Sequence, residues 1–272
     1  MNQHLRRKSL IATGLETRYG DRAVLEGLDF TVPEGQITAI VGANACGKST
    51  LLRSLSRLLR PSKGEVLLDG ASIHRMPPKE LARAMGLLPQ SPVAPDGISV
   101  LDLVGRGRHP HQGVWARWSA EDDAAVATAL EAMGIADLAD RDVDELSGGQ
   151  RQRVWIAMAL AQETGILLLD EPTTFLDINH QIEVLDLLVD LSRTRGTTIV
   201  MVLHDLNLAA RYCDWLAAMV AGRLEAMGHP SDVLTPQMVG RVFGLKCQVV
   251  SDPVSGAPMM LPIGRHCVLR DQ

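Results

Sequence analysis

The stretch Gly42-Ala-Asn-Ala-Cys-Gly-Lys-Ser49 has the spacing GxxxxGK[ST], which is typical of a loop that binds phosphate groups. An apolar run over residues 37–41 precedes it and predicts a short β-strand, and residues 48–59 have the character of a helix. A strand, this loop and a helix in that order form the context that the motif requires. An ordinary glycine-containing turn is the alternative, and the flanking pattern disfavours it.

Each part of this loop has a chemical role. Successive backbone N–H groups at the start of a helix form a concave site for anions. Gly47 keeps the backbone open to phosphates, Lys48 reaches the β- and γ-phosphates of a nucleotide, and the Ser49 hydroxyl binds Mg²⁺. The sequence therefore predicts a nucleotide site that uses Mg²⁺ as its cofactor.

The thiol of Cys46 belongs to the same loop and lies just before the helix. The positive end of a helix and the neighbouring Lys48 ammonium both favour a thiolate. We therefore expect an accessible Cys46 that reacts with maleimide and is protected by nucleotide. A thiol buried under the loop and unreactive is the alternative.

An acidic pair ends a second apolar run, in which Ile-Leu-Leu-Leu over residues 166–169 is followed by Asp170 and Glu171. A buried parallel strand places its carboxyl end at the ligand crevice of an open sheet. There Asp170 can hold Mg²⁺ through a water molecule, and Glu171 can polarise an attacking water. A strand that merely meets a solvated acidic turn is the alternative.

A glycine pair defines the third motif, Leu146-Ser-Gly-Gly-Gln150, called the LSGGQ segment below. Two glycines at the start of a helix normally weaken it. They are useful where another molecule must approach the backbone closely. A second phosphate cradle in the same chain is superfluous, which indicates that this one serves another chain.

Strand and helix patterns alternate around these motifs and predict a parallel sheet that is covered on both faces. Further strands are expected over residues 24–32, 65–68, 85–88 and 198–203, with a hairpin over residues 216–227. Between about residues 91 and 145, Ser99 and Ser119 begin two helix-capping patterns and no strand-like run occurs. This stretch is predicted to be a mostly helical insert.

Composition narrows the classes of function. The 272 residues are enough for one or two domains, and the net charge of −5 provides no global basic field for nucleic acid. The few aromatic residues, 3% of the chain, also disfavour a protein that stacks a row of bases. No apolar run has the length of a membrane helix, and no signal peptide is expected. The four cysteines lack CxxC spacing, which favours a reducing cytosol over a disulfide framework.

Five motifs in a fixed order make the chain resemble the nucleotide-binding subunits of ABC transporters. They are the phosphate loop, Gln90, the LSGGQ segment, Asp170-Glu171 and His204. The resemblance covers nearly the whole chain and implies an α/β fold, a P-loop NTPase ABC cassette with an N-terminal antiparallel β subdomain, a mostly parallel core sheet and a helical insert. It implies one ATPase domain over residues 1–272, in which about 1–90 and 147–272 form the RecA-like core with the β subdomain and about 91–146 the helical subdomain.

The same resemblance assigns roles to single residues. Glu171, His204 and Gln90 are the catalytic set, in which His204 contacts the γ-phosphate and Gln90 links Mg²⁺ and the attacking water to the membrane partner. Mg²⁺ is bound by Ser49, Gln90 and, through water, Asp170. The remaining ATP contacts are Tyr19, which stacks on adenine, together with Gly42, Ala43, Asn44, Ala45, Cys46, Gly47, Lys48 and Thr50.

In this family two subunits sandwich two ATP molecules, each between the phosphate loop of one chain and the LSGGQ segment of the other. That arrangement implies a head-to-tail homodimer in which Leu146, Ser147, Gly148, Gly149 and Gln150 contact ATP on the opposite subunit. Asp177 belongs to the loop that crosses the dimer. Similar phosphate loops usually have Pro where Ala43 stands and Gly where Ala45 stands, so Ala45 is strained if its φ is positive.

A finer resemblance concerns the cargo. The stretches over residues 105–112, 173–181 and 244–258 are similar to those of ferric-siderophore importer ATPases, and the ferric-enterobactin type is closest. This implies a peripheral protein on the cytoplasmic face of the inner membrane that works with separate permease subunits and, indirectly, with a periplasmic or lipoprotein substrate-binding protein. Haem and cobalamin importers are the nearer alternatives. A soluble ABC ATPase acting on nucleic acid or ribosomes is disfavoured by the short insert and the single cassette.

Overall fold

The computed structural model describes residues 8–113 and 118–264. Two large sheets, a two-stranded hairpin and a set of helices surround two hydrophobic cores in the described residues. Alternate residues of the buried strands face different cores: Leu167 and Leu169 belong to one, whereas Ile166 and Leu168 belong to the other. This division follows from the period of two in a β-strand. The central sheet therefore lies between two apolar layers, as expected for a sheet covered on both faces.

The smaller sheet is antiparallel, with strand order β2-β1-β4-β5. Its strands are β1 (Leu10–Tyr19), β2 (Arg22–Val32), β4 (Lys63–Leu68) and β5 (Ala71–Ser72). Sequence patterning predicts β2 and β4 but not β1. Irregular pairing between Ala12 and Arg18 and a left-handed Gly14 (φ 57°) interrupt the alternation in β1, which hides the strand in the sequence.

The larger sheet has six strands in the order β10-β9-β3-β8-β7-β6. These are β3 (Ile37–Gly42), β6 (Met85–Leu88), β7 (Ile166–Asp170), β8 (Thr198–Val202), β9 (Trp215–Val220) and β10 (Arg223–Gly228). Neighbouring strands are parallel except for β9 and β10, which form the predicted hairpin. The expected parallel sheet is confirmed, and the carboxyl ends of β3 and β7 place both phosphate-site motifs at one edge.

Helices pack on both sides of this sheet. They are α1 (Lys48–Leu55), α2 (Pro78–Ala84), α6 (Ile178–Arg195), α7 (Leu206–Tyr212), α8 (Pro230–Val233) and α9 (Pro236–Phe243). The prediction that α1 continues to residue 59 is wrong, because Arg57 adopts a left-handed conformation (φ 66°) and the Leu59 N–H bonds back to the Arg53 carbonyl. The sequence patterns do not predict α2 or α7, which have only seven residues each.

The stretch between β6 and β7 is helical. It contains α3 (Val100–Gly105), a 3₁₀ turn (Arg106–Arg108), α4 (Ala120–Ala132), two further 3₁₀ turns and α5 (Gly148–Ala161). Both predicted caps are present: Ser99 accepts a hydrogen bond from the Asp102 N–H, and Ser119 forms a capping box with Asp122. The LSGGQ segment lies at the N-terminal end of α5.

A carboxyl-terminal hairpin, β11 (Cys247–Ser251) and β12 (Pro258–Pro262), rests against α7. Asn207 exchanges two hydrogen bonds with the Met260 backbone, and Arg211 pairs with the buried Asp252 carboxylate. Within the described ranges, no helix has the length and apolar character needed to cross a bilayer. Cys46, Cys213 and Cys247 are free thiols, and Cys267 lies outside the described residues.

Candidate nucleotide site

The phosphate loop connects the carboxyl end of β3 to α1 and forms the floor of a cavity of about 500 Å³. Most residues predicted to contact ATP lie along this cavity, whereas Gly42, Ala43 and the predicted Mg²⁺ residue Asp170 are not part of its lining. The lining residues are Tyr19, Arg22, Val24, Asn44, Ala45, Cys46, Gly47, Lys48, Ser49, Thr50, Gln90, Glu171 and His204. The fold thus brings together side chains from β1, α1 and the ends of β6, β7 and β8.

The Lys48 ammonium is buried within the loop. Its Nζ donates hydrogen bonds to the carbonyl oxygens of Gly42, at 2.9 Å, and Ala43, at 3.0 Å. Both partners are neutral, and Lys48 has no ion pair with any carboxylate in the described part of the chain. The positive charge is therefore held in place and remains uncompensated, as a phosphate-binding group requires.

Ser49 and Asp170 form a pair of hard oxygen donors. The Ser49 hydroxyl donates a hydrogen bond of 3.1 Å to Asp170 Oδ1, and Asp170 is only 2% exposed. Burial, followed by the charge of Glu171, raises the pKa of the Asp170 carboxyl. A nearby cation stabilises the charged form, and Mg²⁺ commonly takes one or two protein oxygens together with substrate phosphates. These two residues therefore fit the predicted magnesium ion.

The carboxylate of Glu171 is held between two side chains. His204 Nε2 lies 2.6 Å from Glu171 Oε1, and the Thr174 hydroxyl donates to Glu171 Oε2 at 3.3 Å. Glu171 is buried, whereas the His204 side chain is 49% exposed towards the cavity. This contact orients the predicted water-polarising group and the predicted γ-phosphate group together.

The cavity edge includes two side chains that sequence reasoning does not single out, Arg22 and Val24 of β2. Tyr19, the predicted adenine-stacking residue, lies directly across from Arg22 in the β1–β2 ladder and is 47% exposed. The sequence signal that could have identified Arg22 is its position. It is a basic residue that follows Tyr19 after the short Gly20-Asp21 turn. An arginine there can contact the base or the phosphates.

The LSGGQ segment does not line this cavity. Ser147 and Gln150 form a capping box at the start of α5, with hydrogen bonds of 3.0 and 3.3 Å. A Cβ added to Gly148 or Gly149 would meet its nearest neighbours at 3.8 and 3.6 Å, an ordinary contact distance. The packing of the described chain therefore does not require glycine at these positions.

Asp177, the predicted residue of the cross-dimer loop, also lies outside the cavity lining. It caps the start of α6, where its carboxylate accepts hydrogen bonds from the His180 N–H at 3.0 Å and from the His180 ring at 2.8 Å. The backbone hydrogen bond, followed by the ring contact, lowers the pKa of the Asp177 carboxyl. Neighbouring Phe175 is 75% exposed, so this loop presents an apolar ring to solvent.

The expectation of an accessible Cys46 is wrong. The residue is 6% exposed and belongs to the core beneath the loop. Its Sγ lies 2.7 Å from the position that a Cβ on Gly42 would occupy, so the thiol is directed under the backbone. The loop turns this side chain inwards, and only the alternative of a buried thiol agrees with the structure.

Ala45 adopts a left-handed conformation with φ of 59°, as the departure from glycine at this position suggested. An alanine in this region is strained by about 1 kcal/mol. We expect Ala45→Gly to raise the melting temperature of the nucleotide-free protein by about 2 °C. Ala43→Gly is the matched control, because Ala43 is not among the residues with positive φ and gains no relief. Equal shifts in the two variants, measured by thermal unfolding, would contradict the strain.

Comparison with known proteins agrees with this geometry. A model of the ABC transporter family matches residues 25–174, which is more than half of the chain. This chain belongs to the ABC transporter family. A siderophore transport system ATP-binding protein of Bacillus subtilis, YusV, is 53% identical over 94% of both chains. The ferric enterobactin transport ATP-binding protein FepC of Escherichia coli is 53% identical over 91% of both chains.

Comparison with solved structures shows that this ABC protein also shares the fold of known ABC proteins. An inward-facing metal-chelate type ABC transporter superposes with a TM-score of 0.80 and 31% identity, over 95% of this chain and 98% of that one. The dimeric structure of the bacterial ABC transporter cassette MJ0796 superposes with a TM-score of 0.74 and 27% identity, over 81% and 98% of the two chains. The predicted fold class is confirmed.

Proposed function

We propose that this ABC protein binds and hydrolyses ATP and thereby drives import of iron–siderophore complexes through separate membrane permease subunits. One observation carries the catalytic part of this proposal. Lys48, the Ser49–Asp170 pair and the Glu171–His204 pair, which come from distant parts of the sequence, line or adjoin a single cavity. Together they supply a phosphate cation, metal-binding oxygens and a carboxylate placed to act on water.

Each residue of the site has a separate role in phosphoryl transfer. Lys48 and the backbone N–H groups of the loop neutralise the phosphate oxygens, and Tyr19 stacks on the base. Ser49, Gln90 and Asp170 are the residues that would hold Mg²⁺, and the ion would supply positive charge to offset that of the phosphates. Glu171 accepts a proton from the attacking water, and His204, oriented by Glu171, contacts the γ-phosphate.

The second half of each site comes from a partner subunit in this proposal. Among the described residues, no atom lies closer than 3.6 Å to where a Cβ on Gly148 or Gly149 would stand, which leaves room for a phosphate at the N-terminal end of α5. The dimeric state of the similar cassette MJ0796 supports a pair of subunits. Asp177 and the exposed Phe175 are then placed in the loop that crosses the dimer.

The names of the relatives support the proposed cargo and are consistent with the proposed location. Two relatives at 53% identity are named for siderophore or ferric enterobactin transport, which favours an iron–siderophore complex over haem or cobalamin. We place the protein on the cytoplasmic face of the inner membrane, bound to permease subunits that receive cargo from a substrate-binding protein. The net charge of −5 gives no reason to add nucleic acid as a partner.

Iron–siderophore uptake by cells that lack this subunit, complemented with the wild-type or a variant protein, tests the proposal. Cells deprived of the gene and complemented with the wild-type protein should accumulate labelled iron from a catecholate siderophore, whereas those given Glu171→Gln should not. Haem and labelled cobalamin, supplied in parallel, should enter the two strains equally. Equal siderophore uptake with and without the functional subunit, or a defect confined to haem or cobalamin, would contradict the assigned cargo.

A further inference from the structure

A buried arginine joins three parts of the helical region. Arg108 ends the 3₁₀ turn that follows α3, and its side chain is only 6% exposed. Its Nε donates to Asp122 Oδ1 at 2.9 Å, and its Nη1 donates to the Ala161 carbonyl at 2.7 Å and to Glu163 Oε2 at 2.8 Å. One guanidinium therefore connects the start of α4, the end of α5 and the connection to β7.

The bond to Ala161 caps the C-terminal end of α5. The last carbonyl groups of a helix have no partner within the helix, and basic side chains often satisfy them. The His111 ring makes a second such contact, with Nε2 2.7 Å from the Gln162 carbonyl oxygen. Two side chains from residues 105–112 thus bind the end of the helix that begins with the LSGGQ segment.

The backbone of the same turn lies against α5. A Cβ added to Gly107 would be 2.3 Å from the Met158 carbonyl oxygen, closer than any real side chain is found. On the opposite side of the turn, Arg106 lines a separate cavity of about 750 Å³. Arg108 is not part of that lining. The Arg108 side chain therefore contacts α5 and α4 and does not face this second cavity.

The Asp122 carboxylate is fixed from both sides, which makes it a firm anchor for Arg108. Its second oxygen, Oδ2, accepts the Ser119 N–H of the capping box at 3.1 Å. The hydrogen bond from Arg108 lowers the pKa of the Asp122 carboxyl, so this anchor stays charged. An arginine suits this position because its planar fork can donate in several fixed directions at once.

We propose that Arg108 is a positioning residue for ATP hydrolysis, which acts through the C-terminal end of α5 to orient the LSGGQ segment at the other end. α5 has 14 residues, so it is ~21 Å long, and a tilt of about 5° moves its first turn by about 2 Å. A displacement of this size is large for a catalytic contact, since ~1 Å can cost about 100-fold in rate. The inference rests on the proposed site shared between two subunits.

Arg108→Gln in a Glu171→Gln background tests this role. Nucleotide affinity of the separate chain should change less than about twofold, because no residue of α5 lines the nucleotide cavity of this chain. The ATP concentration for half-maximal dimer formation should rise about tenfold, because the displaced segment closes poorly on the opposite ATP. Arg83→Gln is the matched control, since Arg83 bonds the Pro110 carbonyl of the same stretch but not α5. If Arg108→Gln does not fold, as thermal unfolding will show, Arg108→Lys replaces it.

Mixed dimers separate positioning from a general loss of stability. A chain with Arg108→Gln is paired with a chain carrying Lys48→Ala, which places both lesions in one site and leaves the other site whole. The ATP concentration for half-maximal dimer formation should then equal that of a reference dimer. In the reference, a Lys48→Ala chain is paired with a chain that retains Arg108 and Lys48.

Two results would overturn the role of Arg108: an unchanged ATP requirement in the Arg108 variant, or a mixed dimer as weak as the variant alone. A mixture in which Ser147→Arg replaces Arg108→Gln, again paired with the Lys48→Ala chain, tests the shared site itself. Failure of that mixture as well would contradict the proposed function and not only the inference.

Discussion

Replacing Glu171 by Gln should slow ATP hydrolysis by ~10²–10⁴-fold, the usual range for loss of a general base, and leave ATP binding intact. The amide keeps the size of the side chain and can remain in contact with His204, whose Nε2 lies 2.6 Å from Glu171 Oε1. It cannot take a proton from water. If hydrolysis releases the proposed nucleotide-sandwich dimer, the variant should accumulate as an ATP-bound dimer.

The measurements are phosphate release and size-exclusion chromatography with and without ATP. Glu131→Gln is a suitable control, since Glu131 is an exposed carboxylate on α4 that lies away from the cavity. That variant should hydrolyse ATP at the wild-type rate and remain monomeric after turnover. Wild-type turnover in Glu171→Gln would show that another group activates the water.

Mixing two inactive variants should restore one working site. Lys48→Ala alone damages both sites of a homodimer, and Ser147→Arg alone damages both by placing a bulky side chain where phosphate must approach the backbone. A pair with one lesion on each chain has both lesions in one site. In a Glu171→Gln background such a heterodimer should trap about one ATP, whereas each variant alone should trap almost none.

Differently tagged chains allow the heterodimer to be purified and its bound nucleotide counted. A chain carrying both Lys48→Ala and Ser147→Arg, paired with an unmodified chain, is the control, because it spoils both sites and should trap almost nothing. A heterodimer of single variants that forms yet holds no ATP would contradict the head-to-tail arrangement. The rescue cannot arise within one chain, since the LSGGQ segment does not line the cavity that contains Lys48.

The positions of the phosphate loop and of Asp170 could be predicted because local patterns determine them. A short apolar run bounded by turn residues is typical of a buried strand, and a parallel strand of an open sheet places its carboxyl end at the crevice. The contact between Glu171 and His204 needs more, because these residues follow different strands, β7 and β8, and meet only when those strands pair. Motif order indicated their roles but not their contact.

Other features could not be predicted because tertiary packing decides them. The Cys46 thiol points into the core, although its position beside Lys48 at the start of a helix predicted an exposed thiol. The seven-residue helix α7 is too short to be stable alone and is held by bonds from Asn207 and Arg211 to the carboxyl-terminal hairpin. Arg108 and Asp122 are ordinary charged residues in the sequence, and only the fold shows that both are buried.

The separation of the LSGGQ segment from the cavity has a kinetic consequence. The LSGGQ segment and the cavity do not meet within one chain, so in the proposed shared-site arrangement the smallest unit able to hydrolyse ATP is a pair. In dilute solution the rate should therefore depend on the square of the protein concentration, and the activity per chain should fall on dilution. Permease subunits that hold two chains side by side remove this dependence, because they replace free encounter with a high local concentration.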